Sequence, residues 1–149
     1  DIKPQNILYF ADGRDQPERL VIADFTLMRF HTATTGKTYA SQVGFSKSLR
    51  SPEVQKGKGA KVSQKYDIWT LGCVYLEFVT WHLLGYDAIY EKSFQAVDQR
   101  EYESFSTVRQ SDDDKPSYLE DKFFNTTGLG PVVKPSVKRV RIFGPYHFS

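Results

Sequence analysis

Asp1-Ile2-Lys3-Pro4-Gln5-Asn6-Ile7-Leu8 opens the chain, and Ala23-Asp24-Phe25 stands a short distance further on. Between them lie two apolar runs, Ile7 to Phe10 and Leu20 to Ala23. The linking stretch, Ala11 to Glu18, is turn chemistry, with Gly13 and Pro17 set among acidic residues. Strand, polar loop and strand predict a β hairpin with a loop longer than the minimum. Asn6 and Asp24 then fall at the ends of two neighbouring strands.

Those residue types suit phosphoryl transfer. A triphosphate needs its charge neutralised, the attacking hydroxyl must be oriented, and its proton needs an acceptor. Magnesium takes a few hard oxygen ligands and leaves room for phosphate oxygens. Asn6 and Asp24 supply such oxygens. Asp1 is a proton acceptor, and Lys3 reaches a phosphate as a point charge. Pro4 restricts the loop between them.

Outward from this stretch the pattern changes. No period persists from Asp24 to Glu53, a segment rich in Thr, Ser, Lys and Gly, and long irregular segments of this kind are functional or mobile. Gln64 to Leu84 is the strongest helix expectation. Ile68, Leu71, Tyr75 and Phe78 recur at helical spacing, while Trp69, Val74, Leu76 and Val79 fill other faces. A helix apolar nearly all round is expected to be buried on all sides. Ser63 is its candidate N-cap and Gly85 its stop. Ala88 to Val97 is a weaker helix candidate, Ser111 to Pro116 a polar loop, and Lys134-Pro135 the start of a last helix.

Composition narrows the classes. A net charge of +2 over 149 residues leaves no electrostatic footprint for nucleic acid or an anionic membrane, so neither is an expected partner. Lys138-Arg139-Val140-Arg141 reads as a solvated helix face. The one cysteine, Cys73, reads as a small buried hydrophobe; it permits no internal disulfide, which suits a reducing, intracellular setting. The longest apolar stretch, broken by Glu77 and His82, is too short and polar to span a bilayer. His31, His82 and His147 have no metal-ligand spacing.

Asp1-Ile2-Lys3-Pro4-Gln5-Asn6 resembles the catalytic loop, H-R-D-x-K-x-x-N, of the eukaryotic protein kinases. Ala23-Asp24-Phe25-Thr26 resembles the metal-binding D-F-G, Ser51-Pro52-Glu53 the A-P-E, and Asp67-Ile68-Trp69-Thr70-Leu71-Gly72 the D-x-W-x-x-G of the large central helix. Four motifs in the family's order make a specific signal, carried by roughly the first 85 residues. The resemblance implies an α+β protein-kinase-like fold: a mainly helical C-terminal lobe with a small β hairpin, the N-terminal lobe being absent. Within 1–149 it implies a catalytic loop at 1–6, an activation segment at 24–53, a central helix at 64–84 and a divergent helical remainder at 86–149.

It also implies roles. Asp1 would be the catalytic base and Lys3 the phosphate contact, in the serine/threonine rather than the tyrosine pattern. Asn6 and Asp24 would hold Mg2+, and Leu8 would lie under the adenine of ATP. Phe25 would pack toward the small lobe. Ser46 would touch the catalytic loop, and Asp67 would hold that loop's backbone from the central helix, beside Trp69. Glu53 would pair with a late arginine that the sequence does not locate. Thr32, Thr34, Thr35, Thr38 and Ser41 are candidate phosphate acceptors in the activation segment, and the sequence does not choose among them.

Departures stand beside these expectations. Thr26 occupies the D-F-G glycine position, Ser51 replaces Ala, and Leu49 stands where many members have Tyr. No glycine-rich loop, strand lysine or helix glutamate is present. The implied activity is transfer of the γ-phosphoryl of ATP to a protein Ser or Thr, with this chain alone expected to be nearly inactive. Two alternatives are a non-catalytic kinase-like interaction module and a small-molecule kinase of similar fold.

Overall fold

The computed structural model describes residues 2–11, 18–25, 37–40, 46–56, 59–90, 93–95, 100–112 and 120–139. The chain divides into two compact units, Asp1–Val74 and Tyr75–Ser149.

In the first unit, a 3-10 turn at Pro4–Asn6 runs into β1 (Ile7–Phe10), which pairs antiparallel with β2 (Arg19–Ile22). The register runs from Ile7 opposite Ile22 to Phe10 opposite Arg19. This is the expected hairpin. A second ribbon joins β3 (Lys37–Tyr39) to β4 (Lys61–Ser63). No local pattern points to β3, which lies inside the stretch expected to be irregular. Three residues are too few to show a period, and the partner strand is more than twenty residues away. Ala40, Val54, Val62 and Tyr66 form a buried cluster with Ala60 against it. Pro52–Lys56, a second 3-10 turn, contributes Val54 to that cluster.

Helix α1 (Lys65–Leu84) matches the expected central helix closely. Ser63 Oγ accepts the Lys65 N–H at 3.3 Å. Gly85 ends the helix with φ 88 and returns its N–H to the Trp81 carbonyl at 2.8 Å. A left-handed residue at this position is the usual glycine stop.

Burial around α1 departs from expectation. The buried stripe is Tyr66, Thr70, Cys73, Val74, Glu77 and Thr80. Ile68, Leu71 and Tyr75 are exposed instead, Ile68 at 71 %. Polar residues enter the buried stripe because their hydrogen bonds close locally. Thr70 Oγ1 donates to the Tyr66 carbonyl at 2.9 Å and Thr80 Oγ1 to that of Leu76 at 2.8 Å. Cys73 is buried, as its surroundings in the sequence suggested.

In the second unit, the stretch expected to be a helical remainder is mixed among its described residues. Helix α2 covers only Asp87–Tyr90, where a helix from Ala88 to Val97 was expected. Beyond it, β5 (Ser93–Gln95) pairs with β6 (Arg100–Tyr102). Pairing along the backbone overrides a weak local preference there. Helix α3 (Phe105–Ser111) follows, with Ser104 Oγ accepting the Thr107 N–H at 3.2 Å as an N-cap. A hairpin of β7 (Phe124–Thr127) and β8 (Gly130–Val133) leads to α4 (Pro135–Lys138), which starts at the proline as expected. Lys138 and Arg139 are exposed, in keeping with a solvated basic run.

Two buried cations organise this unit. The Arg109 guanidinium lies 4.2 Å from the ring centroids of both Phe105 and Phe123. Its Nε donates to the Asp121 carbonyl at 2.6 Å, and Nη2 approaches Glu77 Oε1 at 3.3 Å. Lys134 Nζ donates to the carbonyls of Arg109, at 2.6 Å, and Glu120, at 2.9 Å. The cations are tolerated because rings cover one and carbonyls solvate the other.

Candidate active site

The local structure around Lys3 to Asn6 follows from Pro4. Its fixed φ suits the first position of a tight turn, where the missing N–H costs nothing. Lys3 caps that turn in extended geometry, and the Asn6 N–H returns to the Lys3 carbonyl at 2.9 Å. Asn6 is buried, at 7 % exposure. Its carbonyl accepts the Ala23 N–H at 2.7 Å, extending the β1–β2 ladder by one step. Asn6 therefore stands opposite Ala23, and Asp24 is the next residue at the same end of the hairpin.

Asp24 has φ 59, the one positive value outside glycine among the described residues. Aspartate enters the left-handed region more readily than most residues, but at a cost of order 1–2 kcal/mol. Strain held at a sequence-selected aspartate is a marker of a functional position. The residue is solvent-exposed, as is Phe25, at 61 %. Leu8 is half-exposed on β1, and every residue of β2 is exposed. One end of the hairpin thus carries Lys3, Asn6 and Asp24, and an apolar surface runs along its strands.

The other sequence-selected residues divide by position. Asp1, Thr32, Thr34, Thr35 and Ser41 lie outside the described residues, as does Thr26. Ser46 and Glu53 are half-buried, Glu53 in the first turn of the Pro52–Lys56 segment. Asp67 is exposed in the first turn of α1, where a carboxylate favours the helix N-terminus. Trp69, two residues on, is half-buried. Thr38 is half-buried in β3, opposite Val62. The late arginine is likewise placed by nothing in the sequence. Arg109 is the fully buried arginine among the described residues, and the carboxylate it meets at 3.3 Å is that of Glu77.

Sequence reasoning missed three features near these motifs. Leu49 and Ser51 are both buried, Ser51 completely. Among the described residues the Ser51 hydroxyl has no hydrogen-bond partner. The presence of Ser where Ala would fit was visible, but its burial was not. Tyr66 carries no signal in the sequence, yet burial pushes its pKa up to about 12, with the Asp67, Glu53 and Cys73 charges adding to the rise and Thr70 opposing it. The third feature, β3, pins the centre of the 24–53 segment through Ala40, whose N–H reaches the Ala60 carbonyl at 2.8 Å.

A carboxylate and a carboxamide are a fitting donor set for Mg2+, which prefers few, hard oxygens. Among the described residues no cluster of three His, Cys, Asp or Glu side chains is present. No described helix is long and apolar enough to cross a membrane.

Comparison with known proteins gives the family. The protein-family model "Protein kinase domain" matches residues 1–126, and the chain belongs to the protein kinase family. Cyclin-dependent kinase 20 of Rattus norvegicus is 36 % identical over 74 residues, 50 % of this chain and 19 % of that protein. Homeodomain-interacting protein kinase 1 of Caenorhabditis elegans is 31 % identical over 93 residues, 62 % of this chain and 10 % of its own length. "Probable serine/threonine-protein kinase fnkE" of Dictyostelium discoideum is 35 % identical over 81 residues, 53 % of this chain and 6 % of its own. The chain spans a fifth or less of each of these relatives. No solved structure matches it.

Proposed function

We propose that this chain is large-lobe material of a serine/threonine protein kinase that transfers the γ-phosphoryl of ATP to hydroxyls of a protein substrate. The observation that carries the reading is the 2.7 Å bond from the Ala23 N–H to the Asn6 carbonyl, which brings Asn6 and Asp24 to one end of a hairpin. Membership of the kinase family supports it, as does the serine/threonine wording in one relative's name.

In this reading Asp1 orients the substrate hydroxyl and accepts its proton. Lys3 offers a point charge to the transferred phosphoryl group. Asn6 and Asp24 would hold Mg2+, which when bound neutralises phosphate charge. Leu8 forms part of the floor under the adenine, and the exposed apolar length of β2 suits a surface completed by a second lobe. Ser46 and Asp67 position the catalytic loop, and Glu53 anchors the end of the activation segment. An intracellular setting belongs to the same proposal and rests on the lone, buried Cys73.

The test compares the 149-residue chain with the same chain joined to a kinase small lobe. The joined protein is expected to bind Mg-ATP by calorimetry and to phosphorylate Ser or Thr in a protein mixture. Asp24→Ala is expected to abolish both. Robust turnover by the chain alone would refute its proposed insufficiency. Absence of nucleotide binding by a folded joined protein would favour a non-catalytic kinase-like module, a reading supported by Thr26 at the D-F-G glycine position.

A further inference from the structure

Helix α3, strand β7 and helix α4 are tied together at Asp112, the residue that closes α3. Asn125 Nδ2 donates to the Asp112 carbonyl at 2.6 Å, and the Ser136 N–H donates to Asp112 Oδ2 at 2.5 Å. Each donor brings an oxygen with it. Asn125 is 9 % exposed, and its Oδ1 is buried with no hydrogen-bond partner among the described residues. Ser136 Oγ is likewise sealed from solvent and without a partner. Covalent geometry keeps both oxygens within a few ångströms of Asp112. The Asp112 carboxylate enters no ion pair among the described residues. Lys134, two residues before Ser136, directs its ammonium to the carbonyls of Arg109 and Glu120 instead.

A buried carbonyl or hydroxyl oxygen that loses its hydration and gains no partner is costly. Two of them beside one uncompensated carboxylate call for an occupant. We propose that Asp112, Asn125 and Ser136 form a site for one alkali cation, Na+ or K+. The Asp112 carboxylate, Asn125 Oδ1 and Ser136 Oγ are its ligands from the protein, and water completes the shell. All three are hard oxygens, which suits a hard cation and not a thiol- or imidazole-seeking metal. A single carboxylate balances a single positive charge. A divalent ion would leave a net charge in a partly buried place, where an unpaired charge is expensive. The cation holds α3, β7 and α4 together and takes no part in phosphoryl transfer.

Two measurements on the full chain test it. In the first, urea unfolding is followed at constant ionic strength while NaCl or KCl replaces choline chloride, whose cation is too large for the site. The midpoint is expected to rise and to respond to the alkali ion as to a ligand of the folded state. Asp112→Asn keeps an oxygen for the Ser136 N–H but removes the charge, and should abolish the rise. Ser136→Ala removes one ligand and should weaken the apparent affinity about tenfold. In the second, the sodium NMR line is expected to broaden with the unmodified protein and to sharpen again with excess KCl. Equal midpoints in sodium, potassium and choline chloride with an unbroadened line would show that water alone satisfies these oxygens, and would overturn the proposal. A rise that survives both substitutions, or a response to CaCl2 alone, would overturn it as well.

Discussion

The guanidinium of Arg109 lies 3.3 Å from the Glu77 carboxylate, with both side chains sealed from solvent. The Phe105 and Phe123 ring centroids each lie 4.2 Å from the guanidinium, and Lys134 holds the backbone carbonyl of the same arginine. The C-terminal half of α1, α3 and the β7–β8 hairpin are thus joined through one cation. The Phe105 and Phe123 rings meet edge to face at 5.8 Å, which adds apolar cohesion to the same point.

Removing that cation takes the guanidinium away from the buried Glu77 carboxylate. Arg109→Met is expected to cost about 3–5 kcal/mol. Glu77→Leu combined with Arg109→Met should recover part of the loss, since no charge is then stranded at this pair. Urea unfolding of the two single variants and the double variant measures the coupling. Additive losses would show that the pair does not act as a unit.

Asp24 combines a proposed chemical role with a backbone cost. Relief of its left-handed φ of 59 predicts that Asp24→Gly raises stability by about 1 kcal/mol. Asp24→Ala should give no such gain, because its Cβ meets the same backbone conflict. Both changes should remove magnesium-dependent nucleotide binding from the protein joined to a small lobe. Thermal unfolding and calorimetry separate the two effects.

Ser51 is buried where the kinase motif has alanine, and its hydroxyl has no hydrogen-bond partner among the described residues. Deleting that oxygen removes an uncompensated desolvation penalty. Ser51→Ala is expected to stabilise the chain by about 1 kcal/mol, read as a higher urea midpoint at unchanged slope.

Tyr66 predicts an alkaline limit. Burial raises its pKa to about 12, above the ordinary tyrosine value of 10.0. The folded state thus favours the neutral phenol more than the unfolded chain does. The associated stability is complete below pH ~10 and is lost as pH rises toward ~12, to a total of at most about 3 kcal/mol. Tyr66→Phe removes the ionising group, so its stability should fall less across that window. Parallel curves for the two proteins would show that Tyr66 ionises normally.

Short-range chemistry explains what was legible. Pro4 and Asn6, the β-branched run before Asp24, the Lys134-Pro135 start and the 65–84 helix with its Ser63 and Gly85 ends are local signals. Each depends on residues within a few positions, so the hairpin and α1 emerged where expected. The family motifs lie on these same elements, which is why Lys3, Asn6 and Asp24 could be picked out in advance.

Partners far apart in sequence decided the remainder. The ribbon that pins Ala40 exists because Lys37–Tyr39 finds Lys61–Ser63, and three-residue strands leave no period to read. Glu77 looked like an interruption in an apolar helix until Arg109, 32 positions away, supplied its counter-charge. Sequence alone determined the family, the motif order and the elements built from local preference. Tertiary structure alone decided which face of α1 is buried and which polar groups are sealed, because burial of charge depends on a partner that only the folded backbone brings near.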